Sequence, residues 1–459
     1  MSHARGASVL VLTVLVTILC PSTLQAVIRF QRAYGGSGDE DGNSVQQTAD
    51  GGYIIAATTN SYGAGSSDMY LIKTDANGDT IWTRTIGGAA AEEASGVQQT
   101  SDGGYVVAGQ TLSLGAGSAD VYLVKLNALG ETLWTRTFGD SSSNVGYSIV
   151  QTADSGYVIA GYSYTSAQNV NDALLIKTDR SGNPQWSKTY GDTLYEWASS
   201  VRQTPDGGYV FTGCKGSRRT DTRQVYVVKT NTTGDTEWTR TYGGASEGRG
   251  FCVELTGDGG YIVAGITLSY GAGSRDFYLL RMNSVGDTIW TRTFGASGND
   301  AGYSVKRTSD NGFLVVGCTV PPDSSYMDVY LVKVNANGDT AWTRTYNHSP
   351  GDDVGYSVQT TSDGGIVIAG YTYSANWDHD VYLLKTDANG NLAVAENGSK
   401  PEITGQGMGA TVVRGLPHGA VSFDAMGRLV THPKPGLYFV KEPQAKAQAQ
   451  AVRKVLLVE

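Results

Sequence analysis

The chain has 459 residues and a formal net charge of −9. No Lys/Arg-rich run is longer than the Arg218-Arg219 pair, which argues against nucleic acid and anionic membrane surfaces as partners. Of four cysteines, Cys20 lies in the leader, and Cys214, Cys252 and Cys318 show no ligand-like spacing, so neither a disulfide framework nor a zinc site is expected.

Residues 1–26 combine Arg5, an apolar run from Val9 to Leu19, and Pro21-Ser-Thr-Leu-Gln-Ala26. This is the pattern of a secretory signal peptide cleaved after Ala26, too short to span a membrane as a stable helix. A lipoprotein reading of Cys20 fits poorly, because Leu19 stands where a small residue normally precedes a lipidated cysteine. The expectation is a secreted or cell-surface protein with no transmembrane span.

From residue 27 the chain repeats. Trp82, Trp134, Trp186, Trp238, Trp290 and Trp342 are spaced 52 residues apart, with Phe30 one step before and Val394 one step after. Seven copies of one unit therefore run from Phe30 to Ala393. Unit 2 shows the content: Trp82-Thr-Arg-Thr-Ile-Gly-Gly, Ser95-Gly-Val-Gln-Gln-Thr, Tyr105-Val-Val-Ala-Gly and Asp120-Val-Tyr-Leu-Val-Lys. Each stretch is short, rich in β-branched or aromatic residues, and bounded by turn formers, so each unit predicts four strands, here W, B, C and D.

The B–C connection is Thr-x-Asp-Gly-Gly-Tyr (Thr100 to Tyr105) and the D–W connection is Asn-Gly-Asp or a relative (Asn77-Gly78-Asp79). Glycine supplies the positive φ such hairpins require. Asp75 to Asp79 superficially matches the start of a calcium loop, but a strand follows where the EF-hand needs a Glu, so a turn is predicted and no metal. Four antiparallel strands in about 52 residues is the signature of a propeller blade. The predicted fold is all-β: a seven-bladed β-propeller over 27–394, closed by the opening strand Ile28–Tyr34 joining the last blade. An open solenoid is the rival, but it would want distinct polar caps.

Strand direction alternates, so the W–B and C–D loops emerge on one face, and these are the connections that vary. Varied loops on a rigid scaffold are the better place for function. The candidate ligand-binding residues are Asp39, Glu40, Asp41, Glu92, Glu93, Tyr195, Glu196, Trp197, Asp300, Asp353, Trp377 and Asp378. Trp197 and Trp377 are the tryptophans off the 52-residue mark. Aromatic rings beside carboxylates suit carbohydrate, the ring stacking on a sugar face and the acid binding hydroxyls. Two carboxylates at the right separation could also hydrolyse a glycoside. The bland alternative is that the acids only solubilise the rim. The cation two residues after each Trp (Arg84, Arg136, Lys188, Arg240, Arg292, Arg344) is expected to stack on aromatic faces or to pair with an acid such as Asp68 or Asp120. No catalytic constellation, nucleotide fingerprint or cofactor motif is present.

After Val394 a linker (395–409) leads to alternating apolar runs that predict a small β-sandwich over 410–459. Phe423-Asp-Ala-Met-Gly-Arg428, Lys434-Pro-Gly-Leu-Tyr-Phe-Val-Lys441 and Arg453-Lys-Val-Leu-Leu-Val-Glu459 resemble the C-terminal sorting domain of type IX secretion substrates, although the Gln/Ala-rich stretch 445–451 is unusual for it. The resemblance implies export across the outer membrane, with the secretion machinery as a partner. The 52-residue array is similar to the Asp-Gly-Gly-Tyr and Asn-Gly-Asp-Thr-x-Trp propeller repeats of secreted bacterial proteins, whose function is mostly undefined and some of which carry an endoglucanase-like label. The sequence thus supports first a secreted propeller that binds a glycan or another surface protein. A polysaccharide-active enzyme and a purely structural or adhesive surface protein are the alternatives.

Overall fold

The computed structural model describes residues 27–166, 169–217, 222–392 and five short strands of the C-terminal region. The described residues contain no helix, and none crosses a membrane as one. Contacts divide the chain into two units, 1–394 and 395–459.

The first unit is a β-propeller of seven four-stranded antiparallel sheets. In each sheet the order is B, C, D and then the W strand of the following repeat, as in Glu40–Gln47, Tyr53–Thr59, Asp68–Thr74 and Thr80–Ile86. B is innermost and W outermost. The seventh sheet is completed by the opening strand Phe30–Tyr34, which pairs antiparallel with His379–Thr386 in the register Phe30↔Lys385 to Tyr34↔Val381. The two ends of the array are therefore tied by backbone hydrogen bonds, and the ring has no open first or last sheet face.

The motif residues hold neighbouring blades together. Five of the six ruler tryptophans pack on the aromatic that ends the next blade's B–C turn, as Trp82 on Tyr105 at 5.8 Å and Trp186 on Tyr209 at 5.7 Å, and Phe30 packs on Tyr53 at 6.1 Å across the closure; Trp342 packs on the cluster that contains Ile366 at that position. Such pairs add about 0.5–1.5 kcal/mol each beyond the area they bury. The repeated arginines stack on their own Trp, Arg84 at 5.3 Å and Arg136 at 5.1 Å. They do not pair with Asp68 or Asp120: Arg84 donates instead to the Leu129 and Gly130 carbonyls of the next blade's D–W turn. Asp68 and Asp120 accept backbone amides of their own C–D loops.

The turn aspartates have a second role. In blade 1 Asp50 accepts from the Thr48 hydroxyl and the Gly52 amide, and forms an ion pair of 2.9 Å with the buried Lys73 ammonium. Lys125, Lys177, Lys229, Arg281, Lys333 and Lys385 repeat this pairing around the ring. The residue after each such Asp is in αL, a Gly in five blades (Gly51 at φ 84°) and Ser155 and Asn311 in the other two, and this lets the turn close over the cation.

In the second unit the described strands form one five-stranded sheet in the order 411–413, 452–457, 436–441, 421–423, 429–430, the first pair parallel. The linker 395–409, the signal peptide, Arg218-Arg219, the sorting-motif residues 424–428, 434–435 and 458–459 and any second sheet of the expected sandwich lie outside the described residues.

Candidate functional site

Every inner strand is interrupted by a β-bulge one-third of the way along. The extra residue is Asn43, Ser95, Tyr147, Ser199, Phe251, Tyr303 or Tyr356. All seven line an axial channel of about 360 Å3. A bulge re-aims a side chain out of the sheet's alternation, here toward the axis. The residue before it is small because the neighbouring blade presses close: a Cβ on Gly302 would lie 2.0 Å from the Phe277 ring. The scaffold is near-constant from blade to blade, yet the bulge residue is polar in blades 1, 2 and 4 and aromatic in blades 3, 5, 6 and 7. Stacking the repeats shows this variation in the sequence itself, and it was the signal that a search for loop acids passed over.

The aromatic half of the channel continues onto the face of the varied loops. Phe251 and Tyr303 are 5.2 Å apart, Tyr303 and Tyr356 5.0 Å, and Tyr356 and Tyr371 5.8 Å. His379 stacks on Tyr371 at 4.2 Å and meets Tyr373 edge-on at 4.6 Å. Tyr373 then touches Trp377 at 5.9 Å, and Trp377 touches Tyr326 at 6.1 Å. The result is a track of ring faces and edges from the channel, across blades 5 to 7, to the outer loops.

Trp377 at its end is 57% exposed and sits at φ 67°, a left-handed conformation that a bulky residue rarely adopts. The turn Ser374–Asp378 fixes it there: Ser374 N donates to the Asp378 carbonyl at 2.7 Å, Trp377 N to the Ser374 carbonyl at 3.1 Å, and Ser374 Oγ to Asp378 Oδ1. Strain of this kind costs about 1–3 kcal/mol and persists where the surrounding structure enforces it.

Four of the sequence-nominated residues assemble here: Asp39, Asp41, Trp377 and Asp378. Asp39 Oδ1 accepts the His379 amide at 3.0 Å, and Asp41 Oδ1 lies 3.2 Å from His379 Nδ1. These contacts bridge blades 1 and 7. Burial raises the Asp41 carboxyl, with His379 opposing it.

Five others are withdrawn from the solvent rim. Glu40, Glu92, Glu196, Asp300 and Asp353 begin the inner strands and are fully buried. Glu92 accepts from the Thr111 hydroxyl at 2.6 Å, the Gly88 amide at 2.6 Å and the Ser113 amide at 3.1 Å, and Glu40 does the same with Thr59, Gly36 and Ser61. They nucleate the W–B loops. Burial pushes Glu92 up, but its hydrogen bonds from Thr111, Gly88 and Ser113 outweigh that and hold it low. Glu93, next in line, is exposed in the inner strand of blade 2, away from the track.

Blade 4 departs from this plan. Lys215 replaces the capping threonine, and its ammonium sits 2.9 Å from Glu196 and 2.7 Å from Asp192. Burial lifts Glu196 to about 7 against the pull of Lys215, and Asp192 adds to the rise. Trp197 lies against the Arg223 and Arg249 guanidiniums, each 5.6 Å from the ring, and both arginines pair with Glu247. The ring thus packs with the protein's own cations. Tyr195 donates its hydroxyl to the Asn169 carbonyl at 2.8 Å. Tyr195, Glu196 and Trp197 form a structural knot in blade 4, separate from the Trp377 track. Among the described residues no group of three or more His, Cys, Asp or Glu side chains is placed to hold a metal.

A family model described as a domain of unknown function (DUF5122) β-propeller matches residues 256–288 and 361–392, in blades 5 and 7. The regulatory protein FlaEY of Caulobacter vibrioides is 24% identical over 330 residues, which is 62% of this chain and 30% of that protein, so the match spans under a third of the relative's length. Among solved structures, a protein of unknown function from Dyadobacter fermentans is similar at 11% identity and a TM-score of 0.47, covering 79% of this chain and 97% of that one. The polysaccharide lyase Uly1 is similar at 10% identity and 0.48, covering 76% and 90%. PorZ, a surface component of the type IX secretion system of Porphyromonas gingivalis, is similar at 11% and 0.46, covering 93% and 61%. With the seven-bladed geometry, the family match identifies a β-propeller repeat protein.

Proposed function

We propose that this protein is an exported or surface-displayed propeller that binds carbohydrate at the exposed outer end of the aromatic track, around Trp377. The observation that carries the reading is Trp377: a large ring held in a left-handed backbone conformation, mostly exposed, and flanked by Tyr326 and Tyr373. Packing does not require it there, whereas presentation of a flat apolar face does. Asp39, Asp41 and Asp378 lie where carboxylates would accept sugar hydroxyls.

Glycan-array binding of the purified chain, compared with Trp377→Ala, tests this. Binding to at least one glycan class that Trp377→Ala abolishes is expected, and binding unchanged by the substitution would refute the track as the site. Export rests on the 1–26 leader pattern and the type IX-like C-terminal motifs. Removing 395–459 in a cell that runs this route is expected to leave the protein in the periplasm, and surface display of the truncated chain would refute the sorting role.

A further inference from the structure

We infer that the axial channel is a binding site in its own right, which takes a small organic monoanion with an aromatic body. It rests on residues other than those around Trp377 and goes beyond the carbohydrate reading. The channel wall has three layers, set by position on the inner strands. The bulge residues form the first, and Phe251, Tyr303 and Tyr356 make one side of it aromatic, with centroids 5.2 and 5.0 Å apart. One residue further along each strand, Ser44, Ser148, Ser200, Ser304 and Ser357 form the second. Each of these hydroxyl oxygens accepts an amide of the following blade at 3.2–3.4 Å. A hydroxyl that accepts in this way still has its own hydrogen to donate. None of the five donates to a protein acceptor among the described residues, so the channel holds five hydroxyl donors that a ligand can use.

The third layer stands three residues past the bulge, about 10 Å along the strand. Here the repeat breaks. Blades 1, 2 and 7 place glutamine there, and Gln46 and Gln98 accept the next blade's amides from Gln99 and Gln151. A neutral residue therefore serves the ring. Blades 4, 5 and 6 place Arg202, Glu254 and Lys306 instead. Glu254 Oε2 lies 3.6 Å from Arg202 Nε and 3.0 Å from Lys306 Nζ. A partly buried ion cluster adds little stability over neutral residues of similar size, so ring assembly does not account for it. These three are the charged side chains of the wall, and two cations less one carboxylate leave it a formal +1. Burial raises the Tyr303 and Tyr356 hydroxyls above their ordinary value, so no phenolate offsets that charge. Hydroxyl donors and net positive charge at one end, with aromatic rings at the other, match a carboxylate carried on an aromatic ring. The volume of about 360 Å3 suits one small molecule.

The test is calorimetric titration of the full chain with benzoate, benzyl alcohol and acetate, with urea unfolding of each variant alongside. Benzoate should bind saturably, and benzyl alcohol and acetate about tenfold more weakly or worse, since each lacks one half of the match. Lys306→Gln introduces the side chain that blades 1, 2 and 7 carry and brings the wall to a formal charge of zero, so it should weaken benzoate about fivefold or more. Glu254→Gln leaves Arg202 and Lys306 unopposed and should tighten benzoate, a gain that a merely structural defect would not produce. Absence of saturable benzoate binding, or benzyl alcohol bound as tightly as benzoate, would overturn the proposal. So would a Glu254→Gln variant that unfolds as the parent does but binds benzoate more weakly. Should that variant not fold, Lys306→Gln decides, and benzoate binding equal to the parent's would overturn the site. None of these results bears on glycan binding at Trp377.

Discussion

Replacing Trp377 separates presentation from packing. Were its ring a core element, truncation would cost about 3–5 kcal/mol. The structure predicts much less. The ring is over half exposed, and its partners are Tyr326 and Tyr373, two edge contacts worth about 0.5–1.5 kcal/mol each. Against that loss, glycine at φ 67° releases about 1–3 kcal/mol of backbone strain. It also costs about 0.5–1 kcal/mol through the freer unfolded chain. With about 1 kcal/mol more for the part of the ring that is buried, the balance for Trp377→Gly is a loss of about 1–2 kcal/mol, summing these terms. Trp377→Ala loses the same contacts but keeps most of the strain, so it should be the less stable of the two by about 1 kcal/mol, the reverse of the usual alanine–glycine order. Urea unfolding of the three proteins measures the stabilities, and glycan titration the function. A Trp377→Gly variant that loses 3 kcal/mol or more, or that binds as the parent does, would refute the argument.

Four further outcomes follow from the geometry. Asp363→Ala leaves the fully buried Lys385 ammonium without its carboxylate partner, and breaking such a pair should cost about 3–5 kcal/mol, read from the unfolding midpoint. Phe30→Ala empties the closure contact with Tyr53 and should cost about 3–5 kcal/mol by the same assay; a change under 1 kcal/mol would mean the opening strand does not secure the ring. Burial alone would raise Asp154, Asp206 and Asp310, but their Lys and Thr hydrogen bonds outweigh it and hold each at about 2, below the ordinary 3.8. Their stabilisation is fully present above the unfolded value and is lost as pH falls toward about 2, so thermal stability should hold from neutrality to about 4 and drop below it. Glu196 is the opposite case: raised to about 7 by burial, its contribution is fully present below the unfolded 4.5 and is lost as pH climbs through about 7. Glu196→Gln should therefore gain stability relative to the parent as pH rises across that window, and a pH-independent difference would argue against it.

The array was legible because each blade is one chain period. Trp82 and its equivalents recur every 52 residues since each must pack on the next blade's B–C turn, and the turn aspartate recurs since each must cap a buried lysine or arginine. The site was legible in part. Trp377, Asp378, Asp39 and Asp41 stand out as departures from the repeat, and the structure brings them together. Glu40, Glu92, Glu196, Asp300 and Asp353 looked like rim acids because a carboxylate in a polar loop reads the same whether it faces water or folds back to cap amides. Trp197 looked free because nothing local reveals that Arg223 and Arg249 pack against its ring.

What the sequence determined alone is everything set by local spacing: four strands per unit, their turns, seven blades and the strand left over to close them. What the tertiary structure decided is what each side chain faces. A bulge shifts Tyr147, Phe251, Tyr303 and Tyr356 off their sheet and onto the axis. Ring closure sets Asp39 and Asp41 against His379, some 340 residues away along the chain. Periodicity fixes neighbours along a strand, whereas a site is assembled from residues that only the bending of the whole ring brings within reach.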